Sequence, residues 1–142
     1  MRTMSGEEVA SFLSAGTRTG KLATVRPDGR PHVAPIWFVL DGDVVVFTTA
    51  ASTVKGRALR RDPRATLCVD DDRPPFAYVM VDGTVTLSDD LDDLRSWATR
   101  IAARYMGADQ AESFGLRNAV EGELLVRLAP TNVVARAGIA DW

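Results

Sequence analysis

The segment Thr48-Thr49-Ala50-Ala51-Ser52-Thr53-Val54-Lys55-Gly56-Arg57 holds the densest usable chemistry in the chain. Hydroxyls precede two cations, and Ser52 has the type and place of a helix cap. Backbone amides at a helix start and a nearby ammonium or guanidinium both favour a phosphate dianion. A plainer role is open to the same residues. Ser52 then serves only its own helix, and Arg57, Arg60, Arg61 and Arg64 form a solvated face. Neither GxGxxG nor GxxxxGK[ST] occurs, so the dinucleotide fingerprint and the P-loop lend no support.

Other reactive types are sparse. Cys68 lies in an apolar run and reads as a small packing residue, and His32 as a strand residue after a turn. With one cysteine and one histidine, neither a disulfide nor a Cys/His metal site can form within the chain. Asp70-Asp71-Asp72 has the donors for a divalent cation, though an acidic surface loop is the commoner role of such a run. Tyr78 is the one weak candidate for a proton donor, held back by the ordinary phenol pKa near 10. Trp37 and Phe38 must face opposite sides of a regular strand, one towards the core and one towards a cleft or interface. Phe76, Tyr78, Trp97 and Tyr105 are further aromatics able to cover a planar ligand.

These groups must be positioned by elements with readable signals. Ser5 and Glu8 form a capping box for a helix over residues 5–14. Period-two patterning over residues 22–25, 32–39 and 44–49, broken at Pro27-Asp28-Gly29 and Asp41-Gly42-Asp43, predicts a three-stranded meander. Pro35 interrupts its middle strand. A helix from Ser52 to about Arg61 follows, then a strand over 65–69 and a longer one over 76–87 with a bend or bulge at Gly83. The longest helix starts at Ser88 or Asp89, where Asp89, Asp90, Asp92 and Asp93 suit its positive end. Leu94, Trp97, Ile101 and Tyr105 give it an apolar face. A short helix over 109–118 and strands over 123–128 and 132–136 complete the chain. Hairpins dominate, which favours a small closed or partly closed antiparallel barrel over a Rossmann sheet.

Composition bounds the function. The 142 residues are 46% hydrophobic and 25% charged, enough for one core and one domain spanning 1–142. Seventeen basic and nineteen acidic residues give a net charge of -2, which argues against a general nucleic-acid binder. No stretch has the length and apolarity of a membrane span or signal peptide. The expectation is a soluble cytoplasmic protein without nucleic-acid or membrane partners.

Gly20-Lys21-Leu22-Ala23-Thr24-Val25, Arg26-Pro27-Asp28-Gly29-Arg30-Pro31-His32-Val33-Ala34-Pro35-Ile36-Trp37-Phe38 and Ser52-Thr53-Val54-Lys55-Gly56-Arg57 together resemble the pyridoxamine 5'-phosphate oxidase-like superfamily. Val81-Asp82-Gly83-Thr84-Val85 and Trp97 through Gly107 extend the likeness over about residues 5–136. Within the superfamily the chain is most similar to the actinobacterial deazaflavin (coenzyme F420)-dependent oxidoreductases of the B class. The resemblance implies a mainly β fold with flanking helices, the FMN-binding split β-barrel, and a homodimer with two interfacial sites. It implies that Val33, Pro35 and Trp37 flank the cofactor ring, Thr48 and Thr49 line the ribityl and phosphate path, and Lys55 and Arg57 grip phosphate or the acidic tail. Phe76 and Tyr78 would approach the ring from the partner subunit. Ala58 stands where the family pattern has Asn, so any polar role there is missing. The implied activity is hydride transfer from reduced F420 to a conjugated electrophilic small molecule. The alternatives are an FMN-dependent oxidase or reductase and a non-catalytic F420- or flavin-binding protein.

Overall fold

The computed structural model describes residues 1–141; Trp142 lies outside the described residues. Twelve elements follow one another: β1 (Arg2–Thr3), α1 (Gly6–Ser14), β2 (Gly20–Val25), β3 (Pro31–Ile36), β4 (Val39–Asp41), β5 (Val44–Ala50), α2 (Val54–Arg61), β6 (Arg64–Asp71), β7 (Ala77–Ser88), α3 (Leu91–Met106), α4 (Ala108–Asn118) and β8 (Glu123–Ala137). The strands form one sheet of order β3-β2-β6-β7-β8-β5-β4, with β1 paired to the end of β8. Every pairing is antiparallel.

The expected split β-barrel does not form. The outermost strands, β3 and β4, are not paired, so the sheet is open, and with four helices among its strands the fold is mixed α/β. Yet only Trp37 and Phe38 separate those two strands in the chain. The sheet therefore curls until its ends lie within roughly 11 Å of each other, the span of three Cα steps. Three features keep the ladder from closing. Pro31 and Pro35 remove donors from β3. β4 has only 3 residues. Phe38 has also turned its backbone to α3: its N–H donates to the Tyr105 hydroxyl at 3.3 Å, and its carbonyl accepts from Arg104 Nη1 at 2.7 Å.

Most local expectations hold. Ser5 and Glu8 make the capping box of α1, and Gly29 turns the first hairpin with φ 86. The strand register shifts between Asp82 and Gly83, where a bulge was expected. Two differences stand out. The predicted strand over 32–39 breaks at Trp37-Phe38 into β3 and β4, and the two final strand candidates are one strand, β8. Leu22, Phe38, Phe47, Leu67, Val79 and Val126 are fully buried in the main core, with Leu13 of α1 and Leu59 of α2 packed into it. A smaller cluster of Val46, Leu94 and Leu125, joined by Trp97, seats α3 on the other face of β5 and β8.

Arg104 ties these layers together. Besides Phe38 it donates to the carbonyls of Leu13 at 2.7 Å and Gly16 at 3.0 Å, at the end of α1. Helix α1 has no basic residue in its own last turn, so α3 supplies the cation and donors that its free carbonyls need. Arg104→Ala should lower the unfolding free energy in urea by about 2–4 kcal/mol, because it strands part-buried carbonyls. Arg104→Lys should recover only part of that. A loss under about 0.5 kcal/mol, the level of an ordinary surface substitution, would contradict the clamp.

Candidate functional site

The start of α2 is set by a knot of short polar contacts. Thr53, not Ser52, is the cap: its Oγ1 accepts from the Gly56 N–H at 3.0 Å and donates to the Ala50 carbonyl at 2.8 Å. A hydroxyl has one proton to give, so in the 3.0 Å contact between Thr49 and Thr53 it is Thr49 that donates. Thr49 is accordingly buried and faces the knot. A Cβ on Gly56 would stand 2.3 Å from the Ala50 carbonyl oxygen, so glycine is what lets α2 lie this close to β5.

This seat places Lys55 over a cleft of about 300 Å³ lined by Pro35, Ile36, Trp37, Thr48, Lys55, Ile101 and Asn118. Four of the anticipated site residues, Pro35, Trp37, Thr48 and Lys55, thus meet in one place. Trp37 is 41% exposed although its neighbour Phe38 is fully buried, the split expected from strand alternation. One face of the indole is stacked on Tyr105, with ring centroids 5.0 Å apart and planes 2° from parallel. Tyr105 is fixed in turn by donating its hydroxyl to the Arg18 carbonyl at 2.8 Å, and burial pushes its phenol above the ordinary value, so it remains a donor. The chain has two lysines. Lys21 is paired with Asp70 at 3.3 Å, whereas none of the ion pairs among the described residues involves Lys55.

Arg57 lies elsewhere. Two helical residues are about 200° apart around the axis, so Lys55 and Arg57 open onto opposite sides of α2. Arg57 lines a second groove, of about 460 Å³, with Arg26, Arg30, Arg61 and Ala58. In it Arg30 is tied to Asp28 at 2.7 Å and Arg61 donates to the Val25 carbonyl. Val33 is 65% exposed two residues before Pro35, on the same face of β3 but outside the cleft. Phe76 sits beside Arg73 and Pro74 in another depression, with a left-handed φ of 63. Tyr78 is opposite Asp70 and Arg136 in the sheet. Within one chain neither of these two reaches the Lys55 cleft.

Nothing in the sequence marks Ile101, Asn118 or Glu123 as site residues, and Thr53 stands in the Thr48–Arg57 segment with no mark as its cap. Ile101 was absorbed into an apolar helical face, and Asn118 closes α4 without a motif. Glu123 begins β8 opposite Ala50. Burial raises its carboxyl above the ordinary range, while the charge of Lys55 pulls it back. Cys68 offers no nucleophile, since burial and Asp70 both push its thiol up. The cleft can therefore hold an anion at Lys55, a hydroxylated chain at Thr48 and an apolar ring edge at Pro35 and Trp37.

Solved structures show the same architecture. A conserved hypothetical protein from Mycobacterium tuberculosis superposes with a TM-score of 0.84 at 28% identity, covering 95% of this chain and 86% of the other. A protein named F420 reductase gives a TM-score of 0.69 at 29% identity over 87% of this chain and 94% of that one. A FAD-binding protein from Mesorhizobium loti shares the fold at 22% identity, with a TM-score of 0.68 and coverage of 94% and 93%. The fold is thus one used by flavin- and deazaflavin-type proteins. A family model described as pyridoxamine 5'-phosphate oxidase matches residues 5–133, and by that match the chain belongs to the pyridoxamine 5'-phosphate oxidase family.

Proposed function

We propose that this chain is an oxidoreductase that holds a phosphate-bearing flavin-type cofactor at the Lys55 cleft. The observation that carries this is the meeting of an unpaired ammonium, the Thr48 hydroxyl and the exposed face of Trp37 in one cleft. When bound, such a cofactor supplies or accepts a hydride in a two-electron step. The residues do the rest. Lys55 fixes the phosphate, Thr48 takes a hydroxyl of the side chain, and Pro35 with Trp37 sets the ring edge and excludes water from one side. Within one chain Tyr78 lies outside the cleft, and solvent is the proton source this reading takes. The acceptor is a planar, conjugated electrophile able to lie on the open side of the ring.

FMN meets these requirements with its single phosphate. A second cofactor reading, F420, is favoured by the 29% identity to a protein named F420 reductase and by the arginine groove across α2, where a longer anionic tail would find Arg26 and Arg57. A cleft of about 300 Å³ stands at the lower end of the roughly 300–1,000 Å³ of pockets that bury drug-sized ligands, so a cofactor as long as FMN or F420 would reach beyond it. The missing wall is a second copy of the chain. The exposed apolar Val33 on the outermost strand and Trp37 just past its end suit that contact.

Titration of the purified protein with FMN and with F420, read by fluorescence quenching, should show saturable binding of at least one. Lys55→Ala should weaken it about tenfold or more, the scale of one charge-assisted contact, while riboflavin, which lacks phosphate, should respond little to the change. Binding of neither cofactor contradicts the proposal, and bound cofactor without oxidation or reduction by any conjugated acceptor reduces it to a binding protein. Light scattering after size exclusion should give twice the mass of the chain; a monomer that still binds tightly contradicts the shared site. Gly56→Ala should cost about 1–3 kcal/mol in urea unfolding by forcing α2 off β5, and should weaken cofactor binding more than Ser52→Ala does.

A further inference from the structure

The arginines around α2 fall into two sets. Arg64 lies beyond the helix, held by Asp62 at 2.8 Å. Arg57 and Arg61 are four residues apart and share one face of α2. That face meets the β2–β3 hairpin, where Arg26 and Arg30 complete the rim of a groove of about 460 Å³. The hairpin sets these two arginines at one level, since the Arg26 N–H donates to the Arg30 carbonyl at 2.9 Å. Arg30 is neutralised by Asp28 at 2.7 Å, and that aspartate is the acidic residue of the lining. The Val25 carbonyl fixes the Arg61 guanidinium without cancelling its charge. Arg26, half-buried, and Arg57, exposed, enter none of the ion pairs among the described residues. The groove thus keeps the charges of Arg26, Arg57 and Arg61 without a counter-charge, in a chain whose net charge is -2. Val54 and Ala58 give the α2 wall a short apolar stretch between the cations.

We propose that this groove is an anion site separate from the Lys55 cleft, and that its ligand is an organic diphosphate. A guanidinium is planar and donates in a fork that matches two oxygens of one phosphate. Three uncompensated guanidiniums exceed what a single carboxylate or monophosphate neutralises, whereas a diphosphate carries about three negative charges at pH 8. Like charges gathered around one groove repel each other, and a bound polyanion removes that repulsion. The carbon skeleton of the ligand then rests on Val54 and Ala58. Lys55 and Arg57 open onto opposite sides of α2, so FMN seated at Lys55 would leave the groove free, while the longer tail of F420 would compete for it.

Titration calorimetry at pH 8 and low salt, where exposed charges are least screened, tests this with inorganic pyrophosphate, ADP and citrate as probes. The proteins are flavin-free wild type, Arg26→Gln, Arg57→Gln and Lys55→Ala. Pyrophosphate and ADP should bind wild type, and each arginine variant should weaken both about tenfold, the scale of one charge-assisted contact. Thermal midpoints of the arginine variants should stay level or rise, since each substitution removes like-charge repulsion and breaks no ion pair. Lys55→Ala should leave both affinities unchanged. Citrate spreads its charge over three carboxylates on a branched skeleton and should bind more weakly than pyrophosphate. A loss in Lys55→Ala as large as in the arginine variants puts the anion in the cofactor cleft and overturns the separate site, as does no binding of either diphosphate. Citrate bound as tightly as pyrophosphate overturns the choice of ligand. The assay contains no flavin, so its result is independent of the cofactor reading.

Discussion

The backbone of Phe38 is the point on which the structure turns. Its ring is fully buried in the core, so its N–H and C=O cannot be left to water, and no neighbouring strand is there to pair them. Tyr105 and Arg104, adjacent on α3, satisfy one each. Leaving either open would cost about 1–3 kcal/mol. That requirement fixes α3 against the gap between the sheet ends, and it brings the Tyr105 ring parallel to Trp37. The same Arg104 closes the end of α1. The aromatic wall of the cleft is thus a consequence of how an unclosed sheet accounts for two polar groups.

The other wall follows from a second local constraint. Thr49, Thr53, Ala50 and Gly56 share hydrogen bonds and a contact too close for any side chain larger than hydrogen. Helix geometry then distributes the cations of α2: Lys55 falls to the Trp37 side and Arg57 to the side of Arg26 and Arg61. A net charge of -2 says little about either place, because charge is arranged at the scale of single turns.

How much of this could be read from the sequence depends on whether the signal is local. The capping box at Ser5, the turn at Gly29, the irregularity at Gly83 and the opposed burial of Trp37 and Phe38 are decided within a few residues, and all appear. Strand order is not local. Nothing in the run from His32 to Val39 says that its two halves belong to opposite ends of a sheet, so the barrel expected from the hairpins and from the family resemblance does not form and the sheet is open. The cap moved one residue, from Ser52 to Thr53, because the Ala50 carbonyl selects the hydroxyl that can reach it. The arginines were legible in part. Asp28-Gly29-Arg30, Asp62-Pro63-Arg64 and Asp71-Asp72-Arg73 repeat one device, in which the carboxylate accepts from both the backbone and the guanidinium two residues on. Asp62 is held down to about 2 by it. Three arginines are thereby explained without a ligand. The place of Glu123 beside Ala50 left no trace in the sequence, since it comes only from β8 pairing with β5.

The proposed phosphate seat at Lys55 lies between Trp37 and the start of α2. An ¹H–¹⁵N correlation spectrum recorded during titration with FMN tests it residue by residue. Phosphate binding there should shift the Trp37 indole N–H and the Thr48, Lys55 and Gly56 amides progressively, and these shifts should be lost in Lys55→Ala. Shifts confined to the apolar groove of about 480 Å³ beneath α1, lined by Val9, Leu13, Leu40 and Val133, with Lys55 and Gly56 unmoved, would contradict it.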